Sequence, residues 1–313
     1  MDESVQPEQQ HTHINIGKIG WFLALTFTIC WVIAWLFFSH GGQLKTLSAL
    51  LVLSGYMLVP ALVAIFVQKG IYHAPVIKPL GISFRLNGWF LVAWWLPLLL
   101  VLLTLGISLL LPGVQFSTAR ATPPASTLAH MPAEAARLFA KPWFIITLGL
   151  IAGLIAGITI NAVFAFGEEL GWRGFLLNEL APLGFWRASL LIGVIWGIWH
   201  APIIIQGYNY PEHPRLGVLM MTVMTVILSP LIIYVRLRAK SVIAAAIFHG
   251  TFNGVAGLPL LLMVGGSDLL VGVTGTAGIL AMILLNIVMV LYDRRFAGEP
   301  LIHPPSIVKD RAS

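Results

Sequence analysis

The sequence predicts an all-α, polytopic membrane protein of about eight transmembrane helices. Of its 313 residues, 58% are hydrophobic and only 10% are charged, whereas an average soluble domain is ~45–50% apolar and ~25% charged. The mean hydropathy of +0.90 and the recurrence of apolar runs of membrane-spanning length agree with this. These values exclude an ordinary water-soluble enzyme, a disordered chain and a collagen-like fibre.

The apolar runs are continuous, which favours membrane helices over the alternating strands of a barrel. The predicted spans are 19–38, 47–67, 88–111, 144–166, 187–205, 216–235, 241–262 and 270–292. The longest connection is 112–143, and Pro132 favours the start of a short interfacial helix within it.

Loop charge predicts the orientation of the chain in the membrane. Thirteen Lys and Arg residues, Arg173 among them, fall on the side that carries both chain ends, and five fall on the other side. Because basic loops stay inside, we expect an integral protein of the cytoplasmic (inner) membrane with cytoplasmic N- and C-termini. The net charge of +6 is then explained by an anionic lipid surface, and no nucleic-acid partner is expected.

Two glutamates interrupt the apolar pattern in FGEELGWRG, residues 166–174. Each ionisable group inside a membrane helix costs at least ~2.5–3.5 kcal/mol. Glu169 and Arg173 have the i, i+4 spacing of a salt bridge, so we interpret them as structural support. Glu168 is rotated by ~100°, which leaves it available as a base or ligand. The alternative is a single buried ion network without chemistry.

Two further motifs place histidines inside spans. In GVIWGIWHAP, Trp196 lies one turn before His200 and can pack against its ring. In AIFHGTFNG, His249 and Asn253 project to one side of a helix, and two aligned donors suit a developing oxyanion. Each motif alone is equally explained by a hydrogen-bonded core residue or an interhelical pair.

Taken together, the polar residues on three helices predict one shared polar cavity between helices. For Glu168 to reach this cavity, the fourth span must run past residue 166. We expect the cavity to open toward the cytoplasmic side, because His200 and His249 lie at similar calculated depths from that side, roughly 20 and 12 Å.

These three motifs, in this order on separate helices, resemble those of the CAAX prenyl protease and bacteriocin-processing (CPBP, or Abi) family of intramembrane proteases. The matching residues are Glu168, Glu169, Arg173, Trp196, His200, His249 and Asn253. Trp196 stands where Phe is common in the family. The resemblance covers about 150–262. It implies an eight-helix fold and peptide-bond hydrolysis, with water activated by Glu168 and His200 and an oxyanion stabilised by His249 and Asn253.

The metal requirement has two interpretations. The better understood CAAX proteases favour water activated by glutamate without a bound metal or other cofactor. The alternative is a metalloendopeptidase with zinc held by Glu168, His200 and His249, since two histidines and a carboxylate can bind zinc and leave an open position. The sequence lacks the His-Glu-x-x-His pattern of the common zinc proteases.

The predicted spans, the loop charge and the resemblance together divide the chain into four regions. They are a polar cytoplasmic tail (1–18), the N-terminal transmembrane helices with a long extracytoplasmic connection (19–143), a CPBP-like catalytic core (144–262), and the last transmembrane helix with a cytoplasmic tail (263–313).

The expected function is an intramembrane endopeptidase. Its substrates would be peptides or membrane proteins in the lipid bilayer, prenylated CAAX-type substrates among them. The alternatives are a non-enzymatic immunity, chaperone or scaffold factor on the same fold, and an ion-coupled transporter. A transporter is disfavoured because the sequence shows no internal repeat. The sequence does not indicate an oligomeric state.

Overall fold

Long apolar helices dominate the computed structural model, which describes residues 13–302. Within these residues, seven helices are long and apolar enough to cross a membrane, and a bent helix pair raises the number to eight if it counts as one span. The predicted all-α membrane fold is therefore confirmed, and the chain is an integral membrane protein. The parts of the predicted tails at 1–12 and 303–313 lie outside the described residues.

The α-helices vary in length from one turn to seven. They are α1 (Ile16–Ser39), α2 (Leu47–Ile65), α3 (Gly88–Ser108), α4 (Ala125–Ala129), α5 (Ala133–Phe139), α6 (Pro142–Ile158), α7 (Ile160–Glu169), α8 (Leu177–Leu180), α9 (Gly184–Trp199), α10 (Ala201–Ile204), α11 (Pro214–Ala239), α12 (Val242–Val255), α13 (Leu258–Leu261) and α14 (Thr276–Arg295). Two π-helical segments, Phe66–Ile71 and Leu170–Leu176, and two 3-10 turns, Ala119–Ala121 and Ala181–Leu183, join some of them. Strands β1 (Gln115–Phe116) and β2 (Met263–Val264) pair antiparallel.

Several predicted boundaries shift at the ends of the helices. The first helix begins at Ile16 instead of 19, because the Asn15 side chain caps it by accepting a hydrogen bond from the Lys18 amide at 3.0 Å. The last helix begins at Thr276 instead of 270. The residues before it include Gly266 and Gly272 with positive φ, a backbone conformation that ends helices.

The predicted end of the fourth span at 166 is wrong, because helical structure continues through the glutamate pair. A single turn residue, Thr159, separates α6 from α7, and the chain then continues through a π-helical segment and α8 to Leu180. A Cβ at Gly167 would lie 2.6 Å from the Met57 carbonyl oxygen of α2. The absence of side chains at such positions lets α2 pack closely along this rod, which holds it in the bundle.

The chain reverses direction between α8 and α9. Helical turns run almost without interruption over 40 residues, Ile160–Trp199, but Gly184 has a φ of +76° and allows a sharp turn there. The helical rod that contains α7 and the helix α9 are therefore antiparallel, and Trp196 of α9 contacts Glu168 of α7 between them. The predicted fifth span, 187–205, therefore begins earlier, at Gly184, and ends at Trp199.

Helix α12 is the most deeply buried of the candidate spans in the described chain, and glycines allow its close packing against α6. A Cβ on Gly254 would lie 2.4 Å from the carbonyl oxygen of Gly153, and a Cβ on Gly157 would lie 2.4 Å from Thr251 Oγ1. Small residues four apart on both helices allow backbones to approach closely in membranes. This packing fixes the position of α12 and of the polar residues that it carries.

The bundle has two ends, which we call the terminal face and the opposite face. The terminal face carries the start of α1, the connections 72–87, 181–183 and 240–241, and the end of α14; there Asn87 donates to the Ala239 carbonyl at 3.0 Å. The opposite face carries the connections 40–46, 109–141, 205–213 and 262–275. It is held by the β1–β2 pair and by Tyr210, whose hydroxyl donates to the Thr274 carbonyl at 2.7 Å.

Candidate active site

The structure brings the four residues of the predicted site to one cavity of about 530 Å³. Glu168 and His249 are 3% and 5% exposed, His200 is half-buried and Asn253 is exposed. The first two therefore lie deep in the cavity, and the other two lie closer to water. Helices α7, α9 and α12 each contribute to this arrangement.

Trp196 orients the Glu168 carboxylate. Its indole Nε1 donates a hydrogen bond to Glu168 Oε2 at 2.7 Å, and both side chains are buried. The second oxygen, Oε1, accepts no hydrogen bond from residues 13–302. One oxygen is thus fixed by α9, and the other remains available to a molecule in the cavity.

The neighbouring Glu169 has the structural ion pair that its spacing predicts. Arg173 Nη1 donates to Glu169 Oε1 at 2.9 Å, and both side chains are fully buried. The same oxygen lies 2.8 Å from His249 Nδ1, a contact that the sequence does not predict. Arg173 Nη2 also donates to the Ser229 hydroxyl of α11 at 3.2 Å. Glu169 therefore connects α7 to α12 and, through the arginine, to α11.

A backbone hydrogen bond determines the tautomer of His200. Its Nδ1 lies 2.7 Å from the carbonyl oxygen of Trp196. Because a carbonyl oxygen only accepts, Nδ1 must carry a proton, and Nε2 of the neutral ring is then a lone-pair acceptor. This half-buried imidazole presents a proton acceptor from the cavity wall.

His249 and Asn253 both line the cavity from α12. The bond from His249 Nδ1 to Glu169 leaves Nε2 as its free ring nitrogen. The exposed Asn253 amide makes no hydrogen bond to residues 13–302. These two groups, one turn apart, are available to a bound molecule.

Trp196 also packs against the charged and aromatic side chains of the site. Its ring centroid lies 4.3 Å from the Arg173 guanidinium carbon, a cation–π distance, and 5.3 Å from the His249 ring in an edge-on arrangement. The His200 ring lies 5.5 Å away, in agreement with the predicted packing. Trp196 thus contacts all three motifs.

The cavity opens on the opposite face, which corrects the expectation that it opens on the side of the chain termini. Within residues 13–302, every connection that lines it lies on the opposite face: Arg120, Tyr208, Asn209, Pro211, Glu212, and residues 265–268 and 271–274. The physical reason is the direction of the helices, because α9 and α12 both end toward that face and carry His200 and Asn253 near their C-terminal ends.

Apolar side chains form much of the inner wall. They are Leu53, Met57, Ile203, Met221, Met224, Phe252 and Leu260. Methionines adapt to irregular partners, so these walls suit a flexible apolar group beside the polar residues.

The predicted zinc alternative does not fit the donor atoms as they stand. Glu168, His200 and His249 do not form a group whose ligand atoms all lie within 4.8 Å of one another; in residues 13–302 that criterion is met by Glu212, His213 and Asp268 at the rim of the cavity. There Asp268 Oδ1 lies 2.6 Å from His213 Nδ1 and Oδ2 accepts from the Glu212 amide at 2.7 Å. These bonds join two loops and account for the group without an ion.

Two comparisons with known proteins indicate a family for this part of the chain. Residues 139–255 match the family model of type II CAAX prenyl endopeptidases, Rce1-like. A 44-residue stretch is 41% identical to CAAX prenyl protease 2 of Methanococcus maripaludis, covering 14% of this chain and 16% of that protein. Residues 139–255, here called the CPBP segment, belong to the CPBP family. The CPBP segment contains α6 to α12 and thus the site residues of all three motifs.

Parts of the cavity come from elements outside the CPBP segment and were not predicted. Tyr56 of α2 lines the cavity and donates to the Trp199 carbonyl at 2.8 Å, and the loop 265–274 forms part of the rim. Tyr56 could have been noticed in the sequence, because it is a polar residue inside the apolar run of α2. The rim loop gave no such signal, because glycine-rich connections are common in any membrane protein.

Proposed function

We propose that this protein is an intramembrane endopeptidase that hydrolyses peptide bonds of membrane-associated polypeptides. The observation that carries the proposal is the single cavity in which a fixed carboxylate, an imidazole acceptor and two further polar groups meet inside an apolar bundle. Membership of residues 139–255 in the CPBP family supports the same reaction class.

Glu168 and His200 are the groups that we assign to water activation. A water between Glu168 Oε1 and His200 Nε2 would lose a proton to one of them as its oxygen attacks the peptide carbonyl. The proton would then pass to the leaving amine, so that water is added across the C–N bond. Trp196 keeps the carboxylate in place and has no direct role in the chemistry.

His249 and Asn253 are the groups that we assign to the oxyanion. The negative charge that develops on the carbonyl oxygen needs donors that are already oriented. Asn253 supplies an amide N–H, and His249 supplies Nε2–H when its ring is protonated. The Arg173 and Glu169 charges balance each other, so a protonated His249 and an ionised Glu168 leave the buried cluster neutral, which limits its cost in an apolar interior.

The substrate we propose is an extended peptide segment with an apolar or lipid group. The methionine-containing wall of the cavity suits such a group. The relative in Methanococcus maripaludis is named a CAAX prenyl protease, and a prenylated CAAX-type peptide is therefore one of the substrates to test beside unmodified apolar peptides. No nucleic acid has a place in this proposal.

The direct test is cleavage by purified protein in lipid nanodiscs. Wild-type protein and a Glu168→Gln variant would be incubated with a prenylated peptide set and an unmodified apolar peptide set, and new termini would be identified by mass spectrometry. We expect cleavage by wild type and a loss of at least about 10³-fold in Glu168→Gln. Co-purification of uncleaved peptide with Glu168→Gln would identify a natural substrate.

A matched control separates loss of chemistry from loss of a buried charge. Glu179 is also buried on the same helical rod, where it pairs with Lys18 near the terminal face, but it does not line the cavity. Glu179→Gln should retain cleavage in correctly folded protein. Equal cleavage by wild type and Glu168→Gln would contradict the proposal.

A further inference from the structure

Helix α9 ends beside His200, and its end leaves two backbone carbonyls without their regular partners. The helix ends at Trp199, and the His200 amide donates at 3.2 Å to the carbonyl three residues before it, not to that of Trp196, four before it. The Ile203 amide likewise donates to the His200 carbonyl at 3.0 Å and not to that of Trp199. Pro202 has no amide hydrogen to offer. The carbonyls of Trp196 and Trp199 therefore lack their α-helical i+4 donors.

Two side chains replace the missing donors. His200 Nδ1 donates to the Trp196 carbonyl at 2.7 Å, and the Tyr56 hydroxyl donates to the Trp199 carbonyl at 2.8 Å. Trp199 is buried, and a buried carbonyl without a partner is costly. The two bonds therefore stabilise the backbone on either side of the imidazole, and one of the two donors comes from a different helix, α2.

The same tyrosine holds the aromatic ring that lies beside the imidazole. The ring centroids of Tyr56 and Trp199 are 4.5 Å apart, and the Trp199 ring meets the His200 ring edge-on with centroids 4.8 Å apart. Tyr56 and Trp199 are both buried, and close-packed interiors leave such rings little room to move. Tyr56 thus constrains His200 twice, through the backbone and through the packed indole.

Helix α2, which carries Tyr56, is packed tightly against the helical rod that carries Glu168. A Cβ on Gly167 would lie 2.6 Å from a carbonyl oxygen of α2, and a Cβ on Gly171 would lie 2.6 Å from a side-chain carbon of the same helix. These two glycines, on either side of Glu168, allow the backbones to approach closely. The position of Tyr56 is therefore fixed relative to Glu168 as well as to His200.

We infer that Tyr56 is a positioning residue that keeps His200 aligned with Glu168. The inference rests on the proposed function for the role of His200 as a proton acceptor, but the contacts themselves do not depend on it. The tyrosine hydroxyl is engaged by the Trp199 carbonyl, and its part is to keep the end of α9 rigid, so that His200 Nε2 faces the water beside Glu168 Oε1. The CPBP segment therefore requires α2, which lies outside it, to complete its active site.

Removal of the hydroxyl alone tests the inference. Tyr56→Phe keeps the ring packing but leaves the Trp199 carbonyl without its donor. Tyr234→Phe is the matched control, because Tyr234 is also buried and its hydroxyl donates to Asp293 at 3.0 Å near the terminal face, but it does not line the cavity. Both variants, wild type and Glu168→Gln would be purified in nanodiscs with nitrogen-15-labelled histidine.

Two readouts are compared across these proteins. Peptide cleavage gives kcat and KM, and the nitrogen NMR spectrum gives the tautomer of His200, whose signal is assigned by its absence from His200→Gln. The kcat of Tyr56→Phe should fall about 10-fold with KM within about twofold, because a misplaced base slows the chemical step. At about pH 8, where an ordinary imidazole is neutral, wild type should show the Nδ1–H tautomer alone, and Tyr56→Phe should show both tautomers.

Tyr234→Phe should match wild type in both kcat and tautomer. An unchanged kcat in Tyr56→Phe, or the Nδ1–H tautomer alone in that variant, would overturn the inference, as would an equal fall of kcat in Tyr234→Phe. The spectrum does not depend on turnover. If wild type and Glu168→Gln both leave every peptide uncleaved, the proposed protease activity fails, while the tautomer in Tyr56→Phe still decides whether Tyr56 positions His200.

Discussion

The indole Nε1 of Trp196 donates a hydrogen bond to Oε2 of Glu168 at 2.7 Å. This bond joins two antiparallel helices, α9 and α7, at the deepest part of the cavity. A phenylalanine at the same position would retain the ring packing against Arg173 and His249 but would not provide the donor. The Glu168 carboxylate is therefore oriented by the indole N–H of Trp196, a donor that phenylalanine lacks.

Trp196→Phe should lower kcat about 10- to 100-fold. A hydrogen bond to a charged group is worth about 1.5–3 kcal/mol, and its loss leaves Glu168 free to rotate away from the attacking water. KM should change little, because Trp196 and Glu168 do not form the apolar wall. The measurement is steady-state cleavage of a peptide substrate by the purified variant.

Trp172→Phe is the matched control for that substitution. Trp172 is also fully buried, and its Nε1 has no hydrogen-bond partner among the described residues. It lies on the same helical rod as Glu168 but does not line the cavity. Trp172→Phe should retain wild-type kcat, and equal loss in both variants would indicate that packing alone explains the effect.

Glu168→Gln and Glu169→Gln should differ in stability. Glu168→Gln should unfold close to the wild-type temperature, because Gln still accepts from Trp196. Glu169→Gln leaves Arg173 buried without its ionic partner, which typically costs about 3–5 kcal/mol, and it also weakens the contact with His249. Thermal unfolding in detergent measures the difference, and equal losses would contradict the separation of roles.

A double variant tests whether the ion pair explains that loss. Arg173→Gln in the Glu169→Gln background removes the unpaired charge, so the double variant should be more stable than the sum of the two single variants predicts. Its activity should remain low, since the second Gln does not restore the charge beside His249.

The motif spacing predicted much of the site because helical geometry is local. The i, i+4 spacing of Glu169 and Arg173 indicated their ion pair, and the spacing of His249 and Asn253 placed both on one side of α12. Three polar motifs in apolar helices indicated one cavity, because isolated polar groups are costly in lipid.

The direction of the cavity opening was only partly predictable from the same patterns. His200 and Asn253 lie near the C-terminal ends of α9 and α12, which the order of the spans indicates. The rim, however, is formed by long-range contacts such as that between Tyr210 and Thr274. The contact between His249 and Glu169 was missed for a related reason: it joins residues 80 positions apart. Hydrophobicity also misplaced the fourth span, since buried charges at 168–173 interrupt the apolar run without ending the helix.

Gly157→Ala should destabilise the bundle, whereas Gly149→Ala should not. A Cβ at Gly157 would lie 2.4 Å from Thr251 Oγ1 and 2.6 Å from its Cα, but a Cβ at Gly149 would meet Leu258 Cδ2 at an ordinary 3.5 Å. Overpacking costs about 1–3 kcal/mol, while alanine in an open helical position gains up to about 1 kcal/mol over glycine. Thermal unfolding of both variants should therefore shift in opposite directions; a shared direction would contradict the close α6–α12 packing.

Cleavage should not require zinc. Glu168, His200 and His249 do not gather their donor atoms within 4.8 Å of one another. Activity should therefore persist after exhaustive dialysis against a chelator, with less than about a twofold change when zinc is added. Elemental analysis of the active protein would be measured in parallel. One zinc ion per active chain, with activity lost on removal and restored on return, would overturn the metal-free mechanism.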